Sequence, residues 1–145
     1  MKTLNDSIPN VDVPEGESGP WKIQRFEVSD SEATLFNAKA SWQPGGRFIR
    51  PGKYTGLYYH GDVIMSDTLA EKRDHFFAIW NARGRVLING LGLGMVANAC
   101  LLKQEVESVT VIENSADVIS LVASHYQQKF GDRIEIIEAD AFTWK

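Results

Sequence analysis

The stretch Arg85-Val-Leu-Ile-Asn-Gly-Leu-Gly-Leu-Gly-Met-Val-Ala-Asn-Ala99 constrains the fold more than any other part of the chain. Val86, Leu87 and Ile88 form a short β-branched and aliphatic run closed by a glycine cluster. Such a run predicts a strand buried on both faces. Gly90, Gly92 and Gly94 follow at alternate positions. The next segment, Met95 to Leu102, is apolar almost all round and predicts a buried helix. Strand, glycine turn and helix open a nucleotide-binding α/β unit. Glycine lets the backbone turn tightly and approach a ligand. The first helical turn offers N–H groups at the positive end of its dipole.

Two later positions extend this reading. Ser108 to Ile112 predicts a second strand, and it ends in Glu113. A ribose-binding carboxylate belongs there, roughly 20 residues past the loop. Arg133 to Glu138 predicts a third strand, followed by Ala139-Asp140-Ala141-Phe142. Strands alternating with helices predict a parallel, right-handed α/β sheet from residue 85 onward.

Over residues 83 to 142 the chain resembles the class I S-adenosyl-L-methionine (SAM)-dependent methyltransferases. The phrases VLINGLGLG, VTVIEN and IEIIEADAF are similar to the branch that contains the spermidine synthases. The resemblance implies a Rossmann-like fold, SAM as cofactor, and methyl transfer to an acceptor that the residues do not name. It also implies the site. Gly90, Leu91, Gly92 and Gly94 would form the loop under the methionine part of SAM. Glu113, with Asn114 beside it, would hold the ribose, and Asp140 with Ala141 the adenine. No catalytic residue is identified. The branch usually carries an aspartate just after the ribose acid. Asn114 and Ser115 stand there, which disfavours polyamine aminopropyl transfer. Met95 in place of a third fingerprint glycine disfavours NAD.

The resemblance also implies the sheet order 3-2-1-4-5-7-6, of which this sequence supplies the first three βα units. Either the chain is truncated or a partner supplies the remainder. A non-catalytic SAM-binding or assembly module is therefore the alternative function. Strand 86–88 would lie at an apolar sheet edge, and such edges invite pairing. A homo-oligomer is expected, with the edge covered by a neighbour or by the chain's own N-terminal hairpin.

Upstream of the glycine loop, a small α+β region with a β-hairpin is expected over residues 21–82, before the SAM-binding half-domain 83–145. Residues 1–20, rich in Pro, Gly and acids, read as a flexible leader. Trp21 to Val28 alternates apolar and polar residues and predicts a strand. Ser29 or Asp30 caps a short helix through about Ala40. The loop Trp42 to Lys53 gathers Arg47, Arg50 and Lys53 with Trp42 and Phe48. It reads as a contact for an anionic substrate or nucleic acid or, preferably, as a solvated loop with both aromatics tucked inward. Runs at 54–60 and 63–65 flank Gly61-Asp62 and predict the hairpin. Asp67 or Thr68 caps a helix through about Ala82, with Glu71 completing a capping box to Thr68 and Gly84 as its left-handed terminator. Asn114 or Ser115 caps the last helix, which Gly131 closes.

Composition narrows the classes further. The 145 residues suffice for one domain, and a net charge of −4 gives no general attraction to nucleic acid or anionic membranes. No apolar run is long enough to span a membrane, and the polar start is not a signal peptide, so a cytoplasmic protein is expected. Cys100 is the only cysteine and reads as a buried, inert thiol. His60, His75 and His125 lack metal-ligand spacing, and no metal is expected. Asp74-His75 could abstract a proton, although a locally bonded helical histidine is the simpler reading. Asp62 and Asp67 could reach over the SAM pocket or serve as turn and cap residues.

Overall fold

The computed structural model describes residues 7–145. The fold is mixed α/β, with an antiparallel sheet followed by a Rossmann-like parallel one. The first sheet contains β1 (Gly16–Ser18), β2 (Trp21–Val28), β3 (Gly52–Tyr59) and β4 (Asp62–Ser66), in that spatial order. The second contains β5 (Gly84–Asn89), β6 (Val106–Glu113) and β7 (Ile134–Glu138), all parallel, in the order β5-β6-β7. Helix α1 (Asp30–Ser41) links β2 to β3, and α2 (Leu69–Asn81) links the two sheets. Helices α3 (Met95–Leu101) and α4 (Ala116–Phe130) are the crossovers of the parallel sheet.

The parallel sheet sends one apolar row from each strand into the core. Val86 and Ile88 sit beside Val109 and Val111, which sit beside Ile134 and Ile136, and all six join the core. Val118, Val122 and Tyr126 of α4, with Ala97 and Leu101 of α3, pack in the same core. Burying each large aliphatic side chain contributes about 1.5–3 kcal/mol. On the other face Arg85, Leu87 and Asn89 are exposed, Leu87 at 55%. Strand 86–88 is therefore buried on one face, not on both. An all-apolar triplet cannot reveal this, because period-2 burial needs polar markers to show.

α4 lies between the sheets and contacts β1, β2, β6 and β7. Ser18 Oγ donates to Asp117 Oδ1 at 2.7 Å, which fastens β1 to the start of this helix. Ser115 caps α4 through its side chain, accepting from Val118 N–H, and Gly131 follows its last turn at φ 57°.

Residues 1–6 of the expected flexible leader lie outside the described residues. From residue 7 onward that expectation fails. Ile8, Val11 and Val13 are buried in the core, and Arg25 Nη2 donates to Val13 O at 2.9 Å. Proline and glycine here set an extended path that other elements clasp.

Several local expectations shift by a residue or two. The hairpin turn is His60-Gly61, both at positive φ (49° and 88°), and Asp62 pairs with Tyr59. Two positive φ values are the requirement of a type I′ turn. Ser29 forms a full capping box with Glu32 on α1. No such box forms on α2: Thr68 Oγ1 pairs with Ser66 Oγ, and Glu71 faces Arg47. Gly84 begins β5 at φ 60° and does not terminate α2, which ends at Asn81. Lys103 Nζ performs that task, donating to the carbonyls of Ile79, Trp80 and Ala82 at 2.7–2.8 Å. The expected inward aromatics point out: Trp42 is 89% exposed and Phe48 is also exposed. The hairpin does not cover the β5 edge, because β4 pairs only with β3.

Candidate functional site

In a parallel sheet all carboxyl ends lie on one side, and ligands bind in the crevice outside them. Here a cleft of about 240 Å³ opens at the ends of β5, β6 and β7. Asn89 and Gly90 line it from the first strand end, Ile112, Glu113 and Asn114 from the second, and Ala139 to Phe142 from the third.

Glu113 is the hub of this cleft. Its carboxylate is buried, and Oε2 accepts the Leu91 N–H at 2.8 Å while Oε1 accepts the Ser115 N–H at 2.8 Å. Its carbonyl accepts the Ala139 N–H at 3.0 Å, and the neighbouring Ile112 carbonyl accepts the Gly90 N–H at 2.7 Å. One acid thus joins the glycine loop, the end of β6, the cap of α4 and the segment after β7. Each carboxylate oxygen has a second lone pair, so the group can still accept from a ligand. Asp140 Oδ1 accepts the Phe142 N–H at 2.9 Å and shapes the turn after β7. That turn leaves the Phe142 ring 99% exposed at the cleft. The Ala141 N–H has no partner among the described residues.

The three loop glycines serve different ends. A Cβ on Gly90, at φ 91°, would meet open space. On Gly92 it would strike Met65 Sδ, and on Gly94 the ring of Tyr126. Gly90 alone among them lines the cleft. Gly94 is the left-handed N-cap of α3 at φ 74°, and the Tyr126 hydroxyl beneath it donates to Leu93 O at 2.7 Å. Tyr126 is fully buried, and burial pushes its phenol well above the usual range.

A second cavity, of about 540 Å³, shares Asn89 and Gly90 with the cleft and runs along the open edge of β5. Ile64 and Met65 wall it from the hairpin, Glu71 and His75 from α2, and Leu91 and Gly92 from the loop. Met65 sulfur accepts the Leu93 N–H at 3.2 Å, so the hairpin is docked on the glycine loop. Met65 and Phe142 were not singled out from sequence. A sulfur–backbone contact leaves no pattern, and an isolated aromatic after a strand looks like any other.

The other sequence candidates fall elsewhere. Asp74 is bonded to Arg47, so the Asp74–His75 pair does not form. His60 is a turn residue against the Tyr59 ring, and His125 Nε2 meets Asp12 Oδ1 at 2.8 Å. Asp62 is exposed at the hairpin turn. Asp67 is buried away from the cleft and accepts N–H bonds from Thr55 at 2.8 Å and Val11 at 3.0 Å. Burial raises the Asp67 pKa despite those bonds and the nearby Lys72 charge. Cys100 is buried, and burial raises its thiol pKa, as expected of an inert side chain. Among the described residues, no helix is long and apolar enough to cross a membrane.

No family model matches the chain, and no curated protein matches it. Among solved structures it is similar to spermidine synthase from Thermotoga maritima, with 21% identity and TM-score 0.46, over 92% of this chain and 42% of that one. It is similar to the N-terminal domain of EvdMO1, solved in the presence of SAH and D-fucose, with 16% identity and TM-score 0.43, over 81% of this chain and 48% of that one. It is also similar to a dimethyladenosine transferase from Plasmodium falciparum, with 22% identity and TM-score 0.42, over 50% of this chain and 26% of that one. The chain spans less than half the length of each. These likenesses are likenesses of fold.

Proposed function

We propose that the cleft binds S-adenosyl-L-methionine and that the chain is the cofactor-binding part of a methyltransferase. The observation that carries this reading is Glu113, a buried carboxylate at the second strand end that also fixes the glycine loop. Its free lone pairs would accept from the ribose hydroxyls. Asp140 would accept from the adenine amino group, and the unpartnered Ala141 N–H would donate to a ring nitrogen. Asn114 would stand beside the ribose. Gly90 would let the methionine part pass from the cleft into the larger cavity, where Leu91 and Gly92 line its path. Gly94 would act indirectly, by setting the start of α3. Bound SAM supplies an electrophilic sulfonium methyl carbon for direct displacement by a nucleophilic acceptor. The chain's contribution would be to hold and orient it, since positioning lowers the barrier of such a transfer.

Calorimetric titration with SAM, S-adenosylhomocysteine and NAD tests the assignment. Saturable binding of the first two is expected. NAD binding with none of SAM overturns it.

A non-catalytic SAM-binding module is the second reading. It is favoured by the two acids of the cleft, both of which accept backbone N–H groups. Methyl turnover from isotope-labelled SAM onto any acceptor excludes it.

A further inference from the structure

Away from the cleft, three cations from two stretches of the chain line a smaller cavity of about 190 Å³. Lys72, in the first turns of α2, is a buried member of its lining. Arg50 lines it from the loop before β3, and Lys53 from β3 itself. Asn10 and Tyr54 add neutral polar groups. The cavity shares no residue with the nucleotide cleft.

The charges do not cancel there. Among the described residues Asp67 is the only acid of the lining; it accepts two backbone N–H groups and faces the Lys72 charge. Arg47, the third cation of the neighbouring loop, is paired with Asp74 and Glu71. Arg50 and Lys53 have no such carboxylate among the described residues. Leu69, the first residue of α2, also lines the cavity, and Thr68 makes no side-chain cap bond. The positive end of a 13-residue helix therefore adds to the field of the cations. The volume falls below the roughly 300–1,000 Å³ of sites that enclose whole drug-sized ligands. It suits an ion-sized group held at one end of a molecule. A guanidinium fork matches the oxygens of phosphate, and lysines serve it as point charges.

We propose that this cavity binds a phosphate group. The ligand is either inorganic phosphate or the phosphate of a small phosphorylated molecule. Binding also ties the N-terminal segment to the antiparallel sheet. Asn10 Nδ2 donates to Lys53 O at 3.4 Å, and its Oδ1 accepts from Lys72 Nζ. A bound phosphate holds Lys53 and Lys72 in place and so slows exchange of the Val11 and Thr55 N–H groups that Asp67 accepts.

Titration of the ¹⁵N-labelled full chain at low ionic strength with inorganic phosphate, and separately with glycerol 3-phosphate, tests this. The expected result is saturable shifts at Lys53, Tyr54 and Leu69, with Gly90 and Ala141 unmoved. Arg50→Gln and Lys53→Gln each weaken binding about tenfold, the loss of one charge-assisted bond. Lys39→Gln, an exposed cation elsewhere, leaves it unchanged. Tighter binding of glycerol 3-phosphate identifies a phosphorylated molecule as the source, and equal binding identifies the free ion; both support the site. No saturable binding by either probe, an Arg50→Gln/Lys53→Gln double variant that binds like the unaltered chain, or an equal loss in Lys39→Gln overturns it.

Discussion

Glu113 Oε2 accepts the backbone N–H of Leu91 at 2.8 Å, so the acid at the end of one strand holds the loop that follows its neighbour. Glu113→Ala leaves the Leu91 and Ser115 N–H groups without their acceptor, each at a cost of about 1–3 kcal/mol where water cannot reach. It also removes the group that would meet ribose. Denaturant unfolding should show Glu113→Ala destabilised by at least about 1 kcal/mol, with weaker SAM binding. Glu107→Ala, at an exposed site on the same strand, should stay within about 0.5 kcal/mol. Equal effects from the two substitutions would contradict the role assigned to Glu113.

Gly94→Ala should destabilise more than Gly90→Ala. Both positions have positive φ, which costs an L side chain about 1–2 kcal/mol. At Gly94 the added methyl also enters the Tyr126 ring, and overpacking costs about 1–3 kcal/mol more. Thermal unfolding of the two variants measures the difference. At Gly90 the effect should instead fall on ligand binding.

The half built on the parallel sheet was largely legible in the sequence, because each signal there is local. The aliphatic triplet before Gly90, the acid after Ile112 and the Ser115 cap each act through their own few residues. What was not legible depends on distant parts meeting. Nothing around Ile8, Val11 and Val13 announces that they enter the core. Lys103 reads as a polar linker residue until the end of α2 is placed beside it. Gly92 and Gly94 read as ligand-space glycines, yet Met65 and Tyr126 are the atoms that exclude a side chain there. In place of the Thr68 capping box, the Thr68 hydroxyl pairs with Ser66 and Glu71 faces Arg47, over 20 residues upstream.

Lys103→Met should destabilise the chain by about 1–3 kcal/mol, since three carbonyls lose a charged donor. Lys129→Met, at an exposed site, should cost less than about 1 kcal/mol. Urea midpoints at constant slope would show the contrast.

Acid should loosen the clasp on the N-terminal segment. Burial alone would raise the Asp12 pKa, but its bond to His125 and the Lys129 charge outweigh that and hold it below its ordinary value of 3.8. A depressed carboxylate contributes stability that is complete above its unfolded pKa and lost as pH falls through the folded one. The stability gap between the chain and Asp12→Asn should therefore shrink as pH falls below 3.8. A gap unchanged from pH 7 to pH 3 would contradict this.

The open edge of β5 bears on assembly. Leu87 is 55% exposed on the strand that ends the parallel sheet. Self-association through this edge is expected in sedimentation at micromolar concentration, and Leu87→Lys should shift the distribution to monomer. A monomer at all concentrations would refute it.

The most direct test of the central claim is an amide-resolved titration of the ¹⁵N-labelled chain with SAM. The proposed site predicts saturable shifts at Gly90, Leu91, Asn114 and Ala141, with Ala141 moving most because its N–H gains its first partner. Phe142→Ala should weaken that binding by about 1–3 kcal/mol if the exposed ring stacks on adenine. Saturable shifts confined to other parts of the chain, or none at millimolar SAM, would contradict the account.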